Sequence, residues 1–237
     1  MAENPNWAAR SGAATTDTVD EGLRSFMLGV YNYMAGGLAI TGLVAWFVAH
    51  SPAMMQAIFG TPLQWVVFLA PLALVFWLSS RIQSMPVGRA RALFFVYAGL
   101  IGVMLSTIFL VYTGASITMT FFTTAAAFAG LSLVGYTTKR DLTGMGSFLV
   151  IGLIGILVAM VVNFFLKSSG LDFAISVGGV LIFAGLTAFD SQRIKEMYYA
   201  GDAGEMAARK SIIGALRLYL DFINLFLFLL RLMGNRR

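Results

Sequence analysis

Cysteine is absent, histidine occurs once, proline is scarce at five residues, and only 11% of the 237 residues are charged. The first absence excludes a disulfide framework, a cysteine-type zinc site and a thiol nucleophile. His50 follows the first apolar run with no carboxylate or cysteine beside it in sequence, and reads as an interfacial residue rather than a metal ligand. So few charges leave too little polar surface for a water-soluble domain. No Ser–His pair, metal-ligand spacing or phosphate-cradling glycine loop occurs, so neither an enzyme nor a cofactor is expected.

What is abundant is apolar. Hydrophobic residues make up 59% of the chain, with 20 Phe, 13 Met and 25 Gly, and the mean hydropathy is +0.82. The solvent for most of this chain is lipid: small residues let membrane helices approach, while Phe and Met face acyl chains or fill gaps. The net charge of +5 does not indicate nucleic acid, because Lys and Arg sit between apolar runs rather than along one face.

Composition and hydropathy divide the chain into a polar segment, 1–25, expected to be a flexible cytoplasmic tail, and a membrane domain, 26–237. The tail lacks the basic start of a signal peptide, and the apolar run after it is too long for one. Seven spans are expected, at about 27–49, 63–80, 92–112, 117–136, 146–166, 173–190 and 212–233. The first, at about 1.5 Å per residue, is long enough to cross a ~30 Å hydrocarbon core. The uncharged stretch 92–138 is too long for one helix and divides at Tyr112-Thr113-Gly114-Ala115-Ser116. The fold class is an all-α integral membrane protein, a seven-transmembrane-helix bundle.

Loop charge sets the orientation. Arg81, Arg89 and Arg91 follow span two, Lys139 and Arg140 follow span four, and Arg193, Lys195, Arg209 and Lys210 follow span six; the opposite loops carry only Lys167. The amino terminus is therefore expected in the cytoplasm. Arg231, Arg236 and Arg237 after span seven oppose this rule, so that span either crosses fully against it or re-enters; full crossing is favoured.

Ionisable residues within apolar segments mark function by default. Asp190 closes span six and Asp221 lies inside span seven. If the two spans are antiparallel neighbours joined by a charged loop, 193–211, the carboxylates fall at matching depth. Such a pair in a low-dielectric site shares a proton, and when ionised attracts a hard cation, calcium above all. Alternatively each acid is neutralised locally, Asp221 by Arg217 four residues before it and Asp190 by Arg193 three residues after it. Asn224 shares the Asp221 face and could join a polar site. Asn163 in span five reads as packing glue, Arg81 as an orienting charge within possible reach of a carboxylate, and Gly178, Gly185 and Ala188 as a close helix contact near the site.

Three segments carry a resemblance: Tyr136-Thr137-Thr138-Lys139-Arg140-Asp141-Leu142-Thr143-Gly144-Met145-Gly146-Ser147-Phe148, Phe189-Asp190-Ser191-Gln192-Arg193-Ile194-Lys195 and Leu218-Tyr219-Leu220-Asp221-Phe222-Ile223-Asn224-Leu225-Phe226. Over about residues 25–234 the chain resembles the bacterial branch of the Bax inhibitor-1 (transmembrane Bax-inhibitor-motif) family. The resemblance implies a bacterial inner-membrane protein of seven helices with the last near the centre, and a pH-sensitive calcium leak. It also implies a di-aspartyl pair on helices six and seven, matching Asp190 and Asp221, and an arginine latch low on helix two, for which Arg81 is the only candidate.

Two other classes compete. One is an interaction protein, in the bilayer as a monomer, that modulates a membrane-bound quality-control protease, as another bacterial relative does. The other, an intramembrane aspartyl protease, would need Tyr-Asp and Gly-x-Gly-Asp, whereas Ala188-Phe189 and Tyr219-Leu220 precede the aspartates here.

Overall fold

A computed structural model of the chain describes residues 6–202 and 204–237, with side chains from Glu21 onward. In chain order the helices are α1 (Asn6–Ala49), α2 (Pro52–Phe59), α3 (Leu63–Arg81), α4 (Val87–Leu105), α5 (Ile108–Val111), α6 (Gly114–Thr137), α7 (Thr143–Leu166), α8 (Ser169–Glu196) and α9 (Gly204–Met233). Seven stretches are long and apolar enough to cross a membrane: Glu21–Ala49, Leu63–Arg81, Val87–Val111, Gly114–Thr137, Thr143–Leu166, Ser169–Glu196 and Gly204–Met233. The protein is an all-α membrane bundle.

Local chemistry accounts for several of the helix ends. Ser51 accepts the Met54 N–H and Pro52 occupies the first position of α2, where its missing N–H costs nothing. Pro86, extended at ψ 141°, releases the chain into α4 at Val87, so Arg89 and Arg91 lie on the first turns of a helix rather than in a loop. Lys167 ends α7 in the left-handed region at φ 52°. Asn163 accepts the Ser168 N–H at 3.0 Å across that turn, so it closes a helix and is not the interhelical glue expected of it.

One further expectation is corrected. The charged loop 193–211 is mostly helix: α8 continues to Glu196 and α9 begins at Gly204. Arg193 and Lys195 in the last turn of α8 and Glu205 in the first turn of α9 complement the helix dipoles, which favours helix beyond the apolar boundary. Of the flexible tail expected over 1–25, residues 1–5 lie outside the described residues, and from Asn6 the backbone is helical and continuous with the first span. Ala8, Ala9, Ala13 and Ala14 favour helix there, and no proline intervenes between Pro5 and Pro52.

The last helix occupies the centre. In the apolar core stretch of α9, 67% of residues are buried, against 6% in that of α7, which lies at the edge against α8. Around α9 stand α1, α4, α6 and α8. Tyr219 marks the axis: its hydroxyl shares a 2.6 Å hydrogen bond with Thr41, and the rings of Phe94 and Tyr97 meet it edge-on, each at 5.9 Å. A tyrosine can occupy such a position because its polar end is satisfied.

The carboxyl end is tied to the α5–α6 end of the bundle. Asn235 donates its N–H to Ser116 Oγ at 2.8 Å, and its carbonyl accepts the Thr113 N–H at 3.1 Å. The Arg237 N–H reaches the Val111 carbonyl at 2.9 Å. At the other end of the bundle Phe26, near the start of the first span, packs against Tyr198 in the α8–α9 turn, ring to ring at 5.8 Å. Helix α9 thus runs the length of the bundle, and its carboxyl end lies opposite the start of the first span. Arg231, which counts against that topology by charge, is paired with Asp172 at the start of α8.

Candidate functional site

Helices α8 and α9 are antiparallel and packed on each other through the short turn between them. That register brings Asp190 and Asp221 together, near enough for each carboxyl to feel the charge of the other. Asp221 is 5% exposed, and its Oδ2 has no hydrogen-bond partner among the described residues. The Asp190 side chain is 15% exposed, and Arg217 Nη1 approaches its Oδ1 at 3.5 Å. At that distance the contact is a loose ion pair rather than a bidentate clamp.

The cation therefore comes from the opposite helix, not from the neighbour in sequence. Arg217 bridges α9 to Asp190 on α8 and forms no ion pair with Asp221 one turn along its own helix. Arg193 lies over the Phe189 ring at 5.6 Å and acts on Asp190 only as a more distant charge. Arg81 lies exposed at the end of α3, in a surface depression with Trp77, Ser84 and Arg89, and makes no ion pair among the described residues. Asn224 donates to the Leu220 carbonyl at 2.8 Å and faces a different cavity, beside Phe183 and Arg231. Neither Arg81 nor Asn224 is brought to the carboxylate pair. No cluster of three or more His, Cys, Asp or Glu occurs among the described residues, so the pair is not part of a larger metal-binding group.

The model of the family described as "Inhibitor of apoptosis-promoting Bax1" matches residues 23–237. The chain belongs to the Bax inhibitor-1 family. It is 48% identical over 220 residues to uncharacterized protein RP147 of Rickettsia prowazekii (strain Madrid E), covering 93% of each chain. To the inner membrane protein YbhL of Escherichia coli (strain K12) it is 49% identical over 219 residues, 91% of this chain and 94% of that one. An uncharacterized protein of Caulobacter vibrioides is 49% identical over 231 residues, 93% of this chain and 92% of that protein.

In this Bax inhibitor-1 protein the segments that carry the resemblance are physically joined. Gln192 accepts the Leu142 N–H at 2.9 Å and donates to the Arg140 carbonyl at 2.8 Å, pinning the α6–α7 turn to α8. Lys195 donates to the Tyr136 carbonyl at 2.8 Å. Two residues before Asp190, the Ala188 backbone fits against α6 only because residue 135 is glycine: a Cβ there would overlap the Ala188 carbonyl. Gly178 and Gly185 face Ile156 and Leu149 of α7, so of the small residues expected near the site only Ala188 lies at a tight contact close to Asp190.

Sequence reading missed a chain of hydroxyls beside the pair. Tyr31 and Ser132 are 2.6 Å apart, Ser132 and Ser191 2.7 Å, and Ser191 donates to the Thr187 carbonyl. A serine within each of two apolar runs was the available signal. Nothing in linear spacing indicated that they meet.

Proposed function

We propose that the protein is a pH-sensitive calcium leak of the bacterial inner membrane, amino terminus in the cytoplasm, in which protonation of the Asp190–Asp221 pair gates the pathway. The observation that carries this reading is the adjacency of the two carboxyls with Arg217 as their nearest cation. Adjacent carboxylates away from water compete for one hydrogen ion. With that proton in place the pair has a single negative charge, which Arg217 matches. Without it a second negative charge is left, and a divalent cation can offset it.

The small number of ligands supports transit rather than storage. Calcium prefers 6–8 oxygens, and two carboxylates with no third acidic neighbour among the described residues make a weak site. Conduction needs such a site, favourable enough to enter and weak enough to leave. Falling pH adds the proton, removes the extra charge and closes the path. The test is calcium flux, read with an indicator dye in liposomes containing only the purified protein, across several pH values. Asp190→Asn and Asp221→Asn should each flatten the pH profile; a profile unchanged in both variants refutes the gating.

A further inference from the structure

We infer that the cleft between α1 and α6 binds one acyl chain of an anionic glycerophospholipid, with the phosphate held at Arg24. The two helices flank α9 on the same side, and a cavity of about 530 Å³ opens between them down to Phe222 of the central helix. Its floor is Met34, Phe128 and Phe222, all buried, and the lining is almost wholly apolar. The one polar bridge across it, Tyr31 to Ser132, is satisfied internally, so the cleft asks nothing of its occupant but hydrocarbon. A second cavity of about 640 Å³ continues it toward the opposite face and shares Leu38, Phe121 and Phe222.

Length and charge select the occupant. From Arg24 to Leu38 the cleft follows fourteen residues of α1, about 21 Å at the helical rise. That exceeds the ~15 Å half-thickness of the hydrocarbon core, so a chain from one leaflet fits it lengthwise. A peptide backbone would meet no hydrogen-bonding wall there. Arg24 stands at the mouth, exposed and without an ion pair among the described residues. A cation at the entrance of an apolar cleft complements a phosphate with a chain behind it. The bound chain would touch Phe222, next to Asp221, and Ser132, which bonds the neighbour of Asp190.

The experiment uses the full chain in a neutral detergent, with phosphatidylglycerol or phosphatidylcholine of equal chain length added and retained lipid read by native mass spectrometry. The unaltered protein is expected to retain phosphatidylglycerol roughly fivefold better, the order set by one cation near an anionic headgroup. Arg24→Gln should abolish that preference while phosphatidylcholine still binds. Ala129→Trp, filling the cleft from α6, should lower retention of both lipids, and Ala35→Trp, filling it from α1, repeats the test should the first variant fail to fold. No headgroup preference in the unaltered protein, a preference that survives Arg24→Gln, or retention unaffected by a folded tryptophan variant would each overturn the assignment. The readout involves no calcium flux, so its outcome is independent of the gating proposal.

Discussion

The guanidinium of Arg217 stands 3.5 Å from the carboxylate of Asp190 on a neighbouring helix and leaves Asp221, one turn along its own helix, without an ion pair. The arrangement ties α8 to α9 by charge at the depth where the two acids meet. It makes the interhelical contact and the charge state of the pair parts of one equilibrium.

Removing that cation should therefore show a pH signature. Arg217→Gln leaves two adjacent acids without their nearest counter-charge. Breaking a buried pair costs ~3–5 kcal/mol, but the Arg217 side chain is 43% exposed, which reduces the expected loss to about 1–2 kcal/mol through solvent screening. Thermal unfolding in micelles across a pH series should show the loss shrink as pH falls, because a proton can replace the missing charge. Arg217→Lys, which keeps the charge, should recover most of the loss.

Asp141 offers a pH test outside the membrane. Hydrogen bonding from the Thr143 side chain, and then from the Thr143 N–H at 2.8 Å at the start of α7, holds its pKa below the ordinary 3.8. A lowered folded value means that the cap contributes fully above the ordinary carboxylate pKa and is lost only as pH falls through the lowered one. The Thr143 amide shift, followed by NMR, should be flat from pH 8 to 5 and titrate with a midpoint below 3.8. A midpoint at or above that value would rule out the cap.

Gly135→Ala should separate α6 from α8, since the new methyl meets the Ala188 carbonyl rather than a yielding side chain. Overpacking of this kind costs ~1–3 kcal/mol. Gly130→Ala on the same helix meets nothing within 4 Å and should be neutral or slightly stabilising. Equal melting temperatures for the two variants would contradict the close approach.

Gln192→Ala should loosen the α6–α7 turn, because the Arg140 carbonyl and Leu142 N–H lose their shared partner. Trypsin cuts after Lys139 and Arg140, so limited proteolysis reports the change directly. Faster cleavage at that turn is expected, with the remainder of the bundle protected.

Because the chain has no cysteine, single-cysteine variants map its sidedness without a background. Lys139→Cys and Arg237→Cys should be labelled from opposite faces by a membrane-impermeant maleimide in oriented cells, with residue 139 inside. Labelling of both from one face would contradict the full crossing of α9 and the pairing of Asn235 with Thr113 and Ser116.

What could be read without coordinates was whatever depends on neighbours along the chain. Each span is a run of apolar residues long enough for lipid, each loop carries its own charge, and the unusual cost of an acid in such a run drew attention to Asp190 and Asp221. Tertiary structure decided the rest. Hydropathy rises for lipid-facing and protein-facing helices alike, so the run 143–166 is the most apolar span and also the most peripheral, while α9, with more charges, is the centre. Partner choice is a matter of helix register: spacing offers Arg217 to Asp221 and Arg193 to Asp190, but the packing of α8 on α9 gives Arg217 to Asp190 and turns Arg193 onto an aromatic ring. A side chain's nearest charge is set by which helix stands opposite, and that is a property of the assembled bundle.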